Sequence, residues 1–71
     1  MLLSDSLKRF RKYCSFTQVQ AADAANISYR NYQAYESGKV VPSAKVIIDL
    51  SKSTGISADF ILGLSDNPER K

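Results

Sequence analysis

The sequence predicts an all-α fold, a compact arrangement of five short helices within 71 residues. Apolar residues recur at spacings of three and four, which is the period of an amphipathic helix. Serine or threonine stands where several of these helices begin, and glycine or asparagine stands where they end. No segment alternates apolar and polar residues as a half-buried strand does. A chain of this length is expected to hold one domain with a single small core.

The first helix is predicted over residues 3–14, where four apolar side chains share one face: Leu3, Leu7, Phe10 and Cys14. Cys14 is expected to be a buried apolar residue rather than a reactive thiol. Arg9 is expected to point away from this face, together with the neighbouring lysines. Arg11 borders the face, and a half-buried guanidinium needs a carboxylate partner. Glu36 borders the buried stripe of the third helix and is the predicted partner.

The second helix should begin at Gln18, because Thr17 and Gln20 form a capping box in front of it. Asn26 then tolerates the left-handed backbone that a sharp exit from a helix requires. Ser28 caps a third helix directly afterwards. Two helices joined by so short a turn cross steeply, and the second one projects from the surface. This is the build of a helix-turn-helix that reads DNA.

The outer face of the third helix suits the major groove of DNA. At 100° per residue, Tyr32 and Tyr35 lie about 60° apart and form the predicted buried stripe. The opposite arc is centred near Arg30 and has no acidic residue; its members are Tyr29, Arg30, Gln33, Ala34 and Ser37. A guanidinium can bind guanine, an amide can pair with adenine, and alanine leaves room for a thymine methyl group. The alternative is an ordinary solvated helix face, which surface composition alone favours. The capped turn, the acid-free arc and the net charge of +3 together favour the DNA reader.

Ser43 is predicted to cap a fourth helix, and Gly55 is predicted to end it in a left-handed conformation. Three apolar residues lie on its predicted inner side: Ile47, Ile48 and Leu50. Ser51 and Thr54 fall in the same arc, and their hydroxyls are expected to bond back to the carbonyl a turn earlier.

Ser57 should cap a short fifth helix that carries an apolar run before Gly63: Phe60, Ile61 and Leu62. The polar stretch over residues 65–71 is expected to be frayed. The sequence is accordingly divided into a domain over residues 1–66 and a polar tail over residues 67–71.

Composition argues against catalysis and metal binding. The chain has no histidine and one cysteine, so it lacks the usual pairs of nucleophile and base and the usual metal ligands. No carboxylate pair or glycine-rich phosphate loop offers another site. We expect no enzymatic activity, no metal and no cofactor. The net charge of +3 and the pI near 9.2 instead indicate a polyanionic partner. The absence of a signal peptide or membrane span predicts a cytoplasmic protein.

From about Leu3 to Asp66, the order of these motifs resembles that of the lambda-repressor and Cro-like (XRE-type) helix-turn-helix DNA-binding family. The residues that carry the likeness are Arg11, Gln18, Tyr35-Glu36-Ser37-Gly38-Lys39, Pro42-Ser43, Gly55-Ile56-Ser57 and Asp59-Phe60-Ile61-Leu62-Gly63. The chain differs at Ser15 and Asn26, where the family favours glycine. The resemblance implies a bacterial or phage transcriptional repressor that binds a palindromic operator in double-stranded DNA as a homodimer.

Within this reading, Arg30 is the main expected base reader. Four neighbours on the third helix are secondary readers: Tyr29, Asn31, Gln33 and Ala34. Four residues are predicted phosphate contacts, which fix the register of the complex and carry little sequence information: Thr17, Gln18, Ser37 and Lys39. The resemblance also implies that Gln18 holds its phosphate at the start of the second helix, and that Arg11 and Glu36 form a structural ion pair.

The predicted dimer contacts lie on the fifth helix and just after it: Ile61, Leu62 and Leu64. Ile61 can alternatively complete the core of a single subunit. A second class of function also stays open, a protein-interaction module such as an antitoxin or an adaptor with the same fold. Val40 and Val41 favour it because, with the residues of the fifth helix, they form more apolar surface than so small a core can hide.

Overall fold

The computed structural model describes residues 2–69, and within them it contains five α-helices and no strand longer than a single bridge. The helices are α1 (Leu3–Tyr13), α2 (Gln18–Ala24), α3 (Tyr29–Glu36), α4 (Ala44–Thr54) and α5 (Ala58–Leu62). The predicted all-α fold with a helix-turn-helix at the second and third helices is therefore confirmed. None of the helices in this part of the chain is long and apolar enough to cross a membrane.

Side-chain caps set the starts of four helices, at the predicted positions. The Thr17 hydroxyl accepts a hydrogen bond from the Gln20 amide at 3.1 Å, and the Gln20 side chain accepts one from the Thr17 amide at 2.8 Å. The serine caps accept from the amides three residues on: Ser28 from Asn31 at 3.1 Å, Ser43 from Val46 at 3.4 Å and Ser57 from Phe60 at 3.2 Å. Each cap satisfies an amide that the helix itself leaves unpaired.

Two non-glycine residues turn the chain sharply before α2 and after it. Asn26 has a φ of 57°, as predicted, and Ser15 has the same φ after α1. These are the positions at which the resembled family favours glycine. Both residues thus hold a left-handed conformation that glycine adopts more readily.

The main core lies where α1, α4 and α5 meet, and it is built from fully or almost fully buried side chains: Leu7, Phe10, Ala25, Val46, Ile47, Leu50, Phe60 and Ile61. A second, smaller cluster joins α2 to α3, where Ala21 and Ala22 pack against the buried ring of Tyr32. The small alanines leave the space that this ring fills. α3 is therefore held on one face by α2 and by α1, which also contacts it.

The inner face of α4 differs from the prediction. Ile48 is 48% exposed, whereas Val46, which was not assigned to this face, is only 6% exposed. Ile48 lies about 160° around the helix from the fully buried Leu50, so both cannot face the core. Thr54 bonds back to the Leu50 carbonyl at 2.7 Å as predicted. Ser51 instead donates forward to the Ile56 carbonyl at 2.7 Å, which ties the end of α4 to the segment before α5.

The prediction that Arg9 points away from the apolar face of α1 is wrong, because its side chain lies against the core residue Phe60. Its guanidinium carbon lies 4.1 Å from the centroid of the Phe60 ring. Its Nη2 donates to the carbonyls of Phe60 at 2.8 Å and Ser65 at 2.9 Å, and its Nη1 pairs with Asp66 at 3.0 Å. The long arginine side chain reaches these partners across the surface of α5.

The polar stretch after α5 is also more ordered than predicted. The Ser57 amide donates to the Pro68 carbonyl at 2.8 Å, and Ile56 forms an antiparallel bridge with Glu69. Fraying is therefore wrong for residues 65–69, while Arg70 and Lys71 lie outside the described residues. The division between a domain ending at residue 66 and a tail stays a prediction. Cys14 is half-buried rather than buried, and burial raises the pKa of its thiol.

Candidate nucleic-acid interface

The turn between α2 and α3 is closed by backbone hydrogen bonds and presents α3 at the surface. The Asn26 amide donates to the Asp23 carbonyl and the Ile27 amide donates to the Ala22 carbonyl, each at 3.1 Å. Ser28 then caps α3 at once. Because the face of α3 with Tyr32 packs against α2, the opposite face is left free to meet a partner.

That opposite face carries the predicted base readers. Four of them are exposed, namely Tyr29, Arg30, Asn31 and Gln33, and Ala34 is half-buried. A shallow depression of about 440 Å³ is lined by Arg30, Gln33, Ala34, Ser37 and Lys39. It brings predicted base readers together with two of the predicted phosphate contacts. Asn31 stands apart from this depression, about 100° around the helix from Arg30.

The single carboxylate of α3 is turned away from the exposed face. Glu36 is 2% exposed, and its Oε2 accepts a hydrogen bond from Arg11 Nε at 2.8 Å. Arg11 Nη1 also donates to the Phe16 carbonyl at 3.2 Å. Glu36 Oε1 accepts from Gln18 Nε2 at 3.2 Å. The negative charge is thus buried and neutralised, and the exposed face of α3 offers no acid to repel a phosphate or compete for Arg30.

Gln18 connects this buried pair to the surface, a connection that no pattern in the sequence indicates. Its Nε2 donates inward to Glu36, and its Oε1 accepts a hydrogen bond from the Tyr29 hydroxyl at 3.4 Å. Gln18 is a predicted phosphate contact and Tyr29 is a predicted base reader. The structure places them in contact, 11 residues apart in sequence.

The other predicted phosphate contacts differ in what they can donate. Thr17 uses its hydroxyl oxygen as an acceptor in the capping box, so its proton is free for a phosphate. The Ser37 hydroxyl donates to the Ala34 carbonyl at 3.0 Å and would have to rotate before it could donate to a phosphate. The amide of Lys39 donates to the same carbonyl at 3.1 Å, which fixes the backbone while its side chain stays exposed.

Burial and pairing shift two pKa values beside the interface. Burial acts to raise the pKa of Glu36, but the hydrogen bond from Arg11, the neighbouring polar groups of Tyr32 and Gln18, and the charge of Arg11 outweigh it, so the pKa is lowered. Burial, followed by the neighbouring Glu36 carboxylate, raises the pKa of Tyr32. Glu36 is therefore ionised and Tyr32 is neutral at pH 7.

The lowered pKa of Glu36 predicts that part of the free energy of unfolding is lost in acid. Above the ordinary pKa near 4.5, the carboxylate is charged in the folded and unfolded chains, and its pairing contributes in full. As the pH falls through the lower pKa of the folded state, this contribution disappears. Urea unfolding should show that the free energy of unfolding decreases from about pH 7 down to about pH 3. The free energy of unfolding of Glu36→Gln should decrease less over the same pH interval. Parallel curves for the two proteins would contradict the prediction.

Comparison with known proteins gives one family and several relatives. The model of the Helix-turn-helix family matches residues 7–61. The uncharacterized HTH-type transcriptional regulator YonR, derived from the SPbeta prophage of Bacillus subtilis (strain 168), is 34% identical over 61 residues, which are 86% of this chain and 56% of that protein. The cryptic phage CTXphi transcriptional repressor RstR of Vibrio cholerae is 33% identical over 63 residues, 89% of this chain and 56% of that protein. The chain thus spans about half the length of these curated relatives.

The solved structure of a transcriptional regulator from Listeria innocua is similar in fold. The two superimpose with a TM-score of 0.73 over 97% of this chain and 64% of that chain, at 23% sequence identity. At this level of identity the likeness supports the arrangement of the helices alone.

Proposed function

Because the chain belongs to the Helix-turn-helix family, we propose that it is a sequence-specific DNA-binding repressor of bacterial or phage origin that reads its operator with α3. One observation carries the proposal: the exposed face of α3 is free of acid because its single carboxylate, Glu36, is buried against Arg11. The names of the relatives, transcriptional regulators and a phage repressor, support the same class.

In this proposal Arg30 is the main base reader. Its guanidinium is exposed in the depression beside Gln33 and Ala34, where it can donate two hydrogen bonds to the acceptor edge of guanine. Thr17, Gln18, Ser37 and Lys39 contact phosphates on either side and set the register of α3 in the groove. The net charge of +3 adds a favourable, salt-dependent attraction to DNA.

We further propose that two copies bind a palindrome together. A single domain of this size reads one half-site, and two recognition helices enter successive major grooves when they lie about 34 Å apart. Of the predicted dimer contacts, Ile61 is 0% exposed and belongs to the core of the subunit, so its assignment to the interface is wrong. Leu64 is 76% exposed, and the half-buried Leu62 lines an apolar groove of about 370 Å³ with Val41 and Ile48.

The exposed leucine after α5 provides a test of the dimer. Leu64→Glu should raise the dissociation constant of the dimer at least tenfold, because it places two charges in an apolar contact, a cost above about 1.4 kcal/mol. Sedimentation equilibrium measures the effect. Val19→Glu changes a side chain of α2 that is 52% exposed and serves as the control. Wild-type protein that binds its operator as a monomer without cooperativity would contradict the dimer.

Selection of bound DNA from a random pool tests the function itself. We expect a single palindromic sequence to be enriched, with a binding constant that falls steeply as salt increases. Each phosphate contact makes the negative slope of the logarithm of the binding constant against the logarithm of the salt concentration steeper by about 0.9. A pool without an enriched sequence would refute the proposal.

A protein-interaction module is the second candidate function. It is favoured by apolar side chains that are unusually exposed near the start of α4 and after α5: Val40 at 50%, Val41 at 77% and Leu64 at 76%. An apolar protein interface releases no condensed counterions, so a partner held there would bind with little dependence on salt. The salt dependence of binding therefore distinguishes a DNA-binding repressor from a protein-interaction module.

A further inference from the structure

The backbone around Leu64 is fixed on both sides, although the Leu64 side chain is 76% exposed. The Leu64 amide donates to the Asp59 carbonyl at 2.8 Å, directly after Gly63 has ended α5 in a left-handed conformation. The carbonyl of the next residue, Ser65, accepts a hydrogen bond from Arg9 Nη2 at 2.9 Å. Leu64 is thus an exposed apolar side chain on an immobilised backbone.

Arg9 joins this segment to α1 and to the end of α5. Its Nη2 bonds to the carbonyls of Phe60 and Ser65, and its Nη1 pairs with Asp66 at 3.0 Å. The Phe60 carbonyl belongs to the last turn of α5, where a nearby cation is favourable. The guanidinium also lies over the Phe60 ring. Because a guanidinium is planar and its donors point in set directions, these contacts fix residues 65 and 66 relative to α1.

The pair between Arg9 and Asp66 also balances charge close to Leu64. In a symmetric dimer the same patch of each subunit meets its own copy, so an unpaired charge near the axis faces an identical charge. The Arg9 side chain is 25% exposed and that of Asp66 is fully exposed, and their opposite charges cancel. The pair therefore favours a second copy of this chain as the partner of the Leu64 surface.

We propose that Arg9 is a positioning residue for the contact between two copies of the chain, and that it acts through Leu64. An interface gains affinity when its apolar side chains are already held in place, because less conformational entropy is lost on association. Arg9 supplies this constraint from α1 without being the apolar contact itself. Its role rests on the dimer of the proposed function, and it adds a residue of α1 to the predicted dimer contacts of α5.

The first experiment measures the dissociation constant of the dimer by sedimentation equilibrium, and the same contact as cooperativity between the two half-sites of an operator. Arg9→Met keeps an unbranched stem but removes the charge and the hydrogen bonds. It should raise the dissociation constant about 3- to 10-fold, because residues 64–69 must then be ordered on association. Lys12→Met is the matched control, since it removes the same charge from an exposed position of α1 and should leave the constant unchanged.

The second experiment separates positioning from a general effect on folding. Leu64→Ala shortens the apolar contact itself and should raise the dissociation constant about 10-fold. Combined with Leu64→Ala, Arg9→Met should have little further effect, because the side chain that Arg9 positions is already gone. If Arg9 only stabilised the fold, the effects of the two substitutions on the dissociation constant would multiply.

Backbone amide relaxation in dilute protein measures the constraint itself. Wild type should show rigid amides over residues 64–67, with order parameters near about 0.85, and Arg9→Met should lower them below about 0.6 while the helices stay rigid. Thermal unfolding checks that each variant is folded. Arg9→Lys keeps the test open if Arg9→Met does not fold, since an ammonium group retains the charge but lacks the planar fork that holds several partners at once.

Three results would overturn the role of Arg9 while leaving the proposed function in place. They are equal dissociation constants for Arg9→Met and Lys12→Met, effects of Arg9→Met and Leu64→Ala that multiply, and order parameters that Arg9→Met leaves unchanged. A wild type that stays monomeric and binds its operator without cooperativity would refute the dimer and the role of Arg9 together. A random pool without an enriched sequence would instead refute the DNA-binding repressor and leave the measured dimer unaffected.

Discussion

Glu36→Ala should lower the free energy of unfolding by about 3 kcal/mol, because it leaves the guanidinium of Arg11 partly buried without its carboxylate. The Glu36 side chain is 2% exposed and that of Arg11 is 21% exposed, so water cannot fully replace the lost partner. The amide of Gln18 loses its acceptor at the same time. Urea unfolding measures the loss.

A double-mutant cycle with Arg11→Ala isolates the coupling between the two side chains. The surface pair between Lys45 and Asp49 serves as the comparison, since its N···O distance of 2.9 Å is similar but the lysine is 82% exposed. Asp49→Ala should therefore cost less than about 1 kcal/mol. If the Arg11 and Glu36 substitutions were simply additive, the pair would have no role in stability.

The helix boundaries could be predicted because the signals that set them are local. Thr17 and Gln20 are three residues apart, so the geometry of their reciprocal hydrogen bonds is set by the short backbone segment between them. Asn26 likewise holds a left-handed backbone that its own side chain tolerates. Helical geometry then predicted the inward Tyr32 and the outward arc around Arg30.

Several failures concern side chains whose surroundings depend on distant parts of the chain. Arg9 bonds to partners that lie 51 to 57 residues away in the sequence, and no periodicity within α1 predicts them. Ile61 and Leu62 are both apolar residues of one short helix, and only the packing of α5 decides that Ile61 is buried. The contact of Gln18 with Glu36 and Tyr29 depends in the same way on how α2 crosses α3.

The candidate site likewise has a part that local helix geometry predicts and a part that it does not. The exposed face of α3 follows from helical angles within one element. Which of its side chains meets a base and which meets a phosphate depends on the depth and tilt of α3 in the groove, which is a property of the complex. The individual base and phosphate assignments therefore stay predictions.

Arg30→Ala should remove the preference for one base pair in each half-site and leave other positions unchanged. Within residues 2–69 Arg30 makes no ion pair, and its side chain projects into the depression beside Gln33 and Ala34. It is therefore free to bind both acceptors of a guanine, a contact that contributes about 1 to 3 kcal/mol of discrimination. Titration of operators changed one base pair at a time measures this loss.

Lys39→Ala is the matched control for Arg30→Ala, because it removes another cation from the same depression. Because Lys39 is a predicted phosphate contact, Lys39→Ala should weaken binding to every sequence by a common factor. It should also make the dependence of the logarithm of the binding constant on the logarithm of the salt concentration less steep, by about 1. Arg30→Ala should instead leave the affinity for DNA that already lacks the guanine almost unchanged. If Arg30→Ala weakened all sequences equally, Arg30 would be the phosphate contact, and the base would have to be read by the neighbouring side chains of α3.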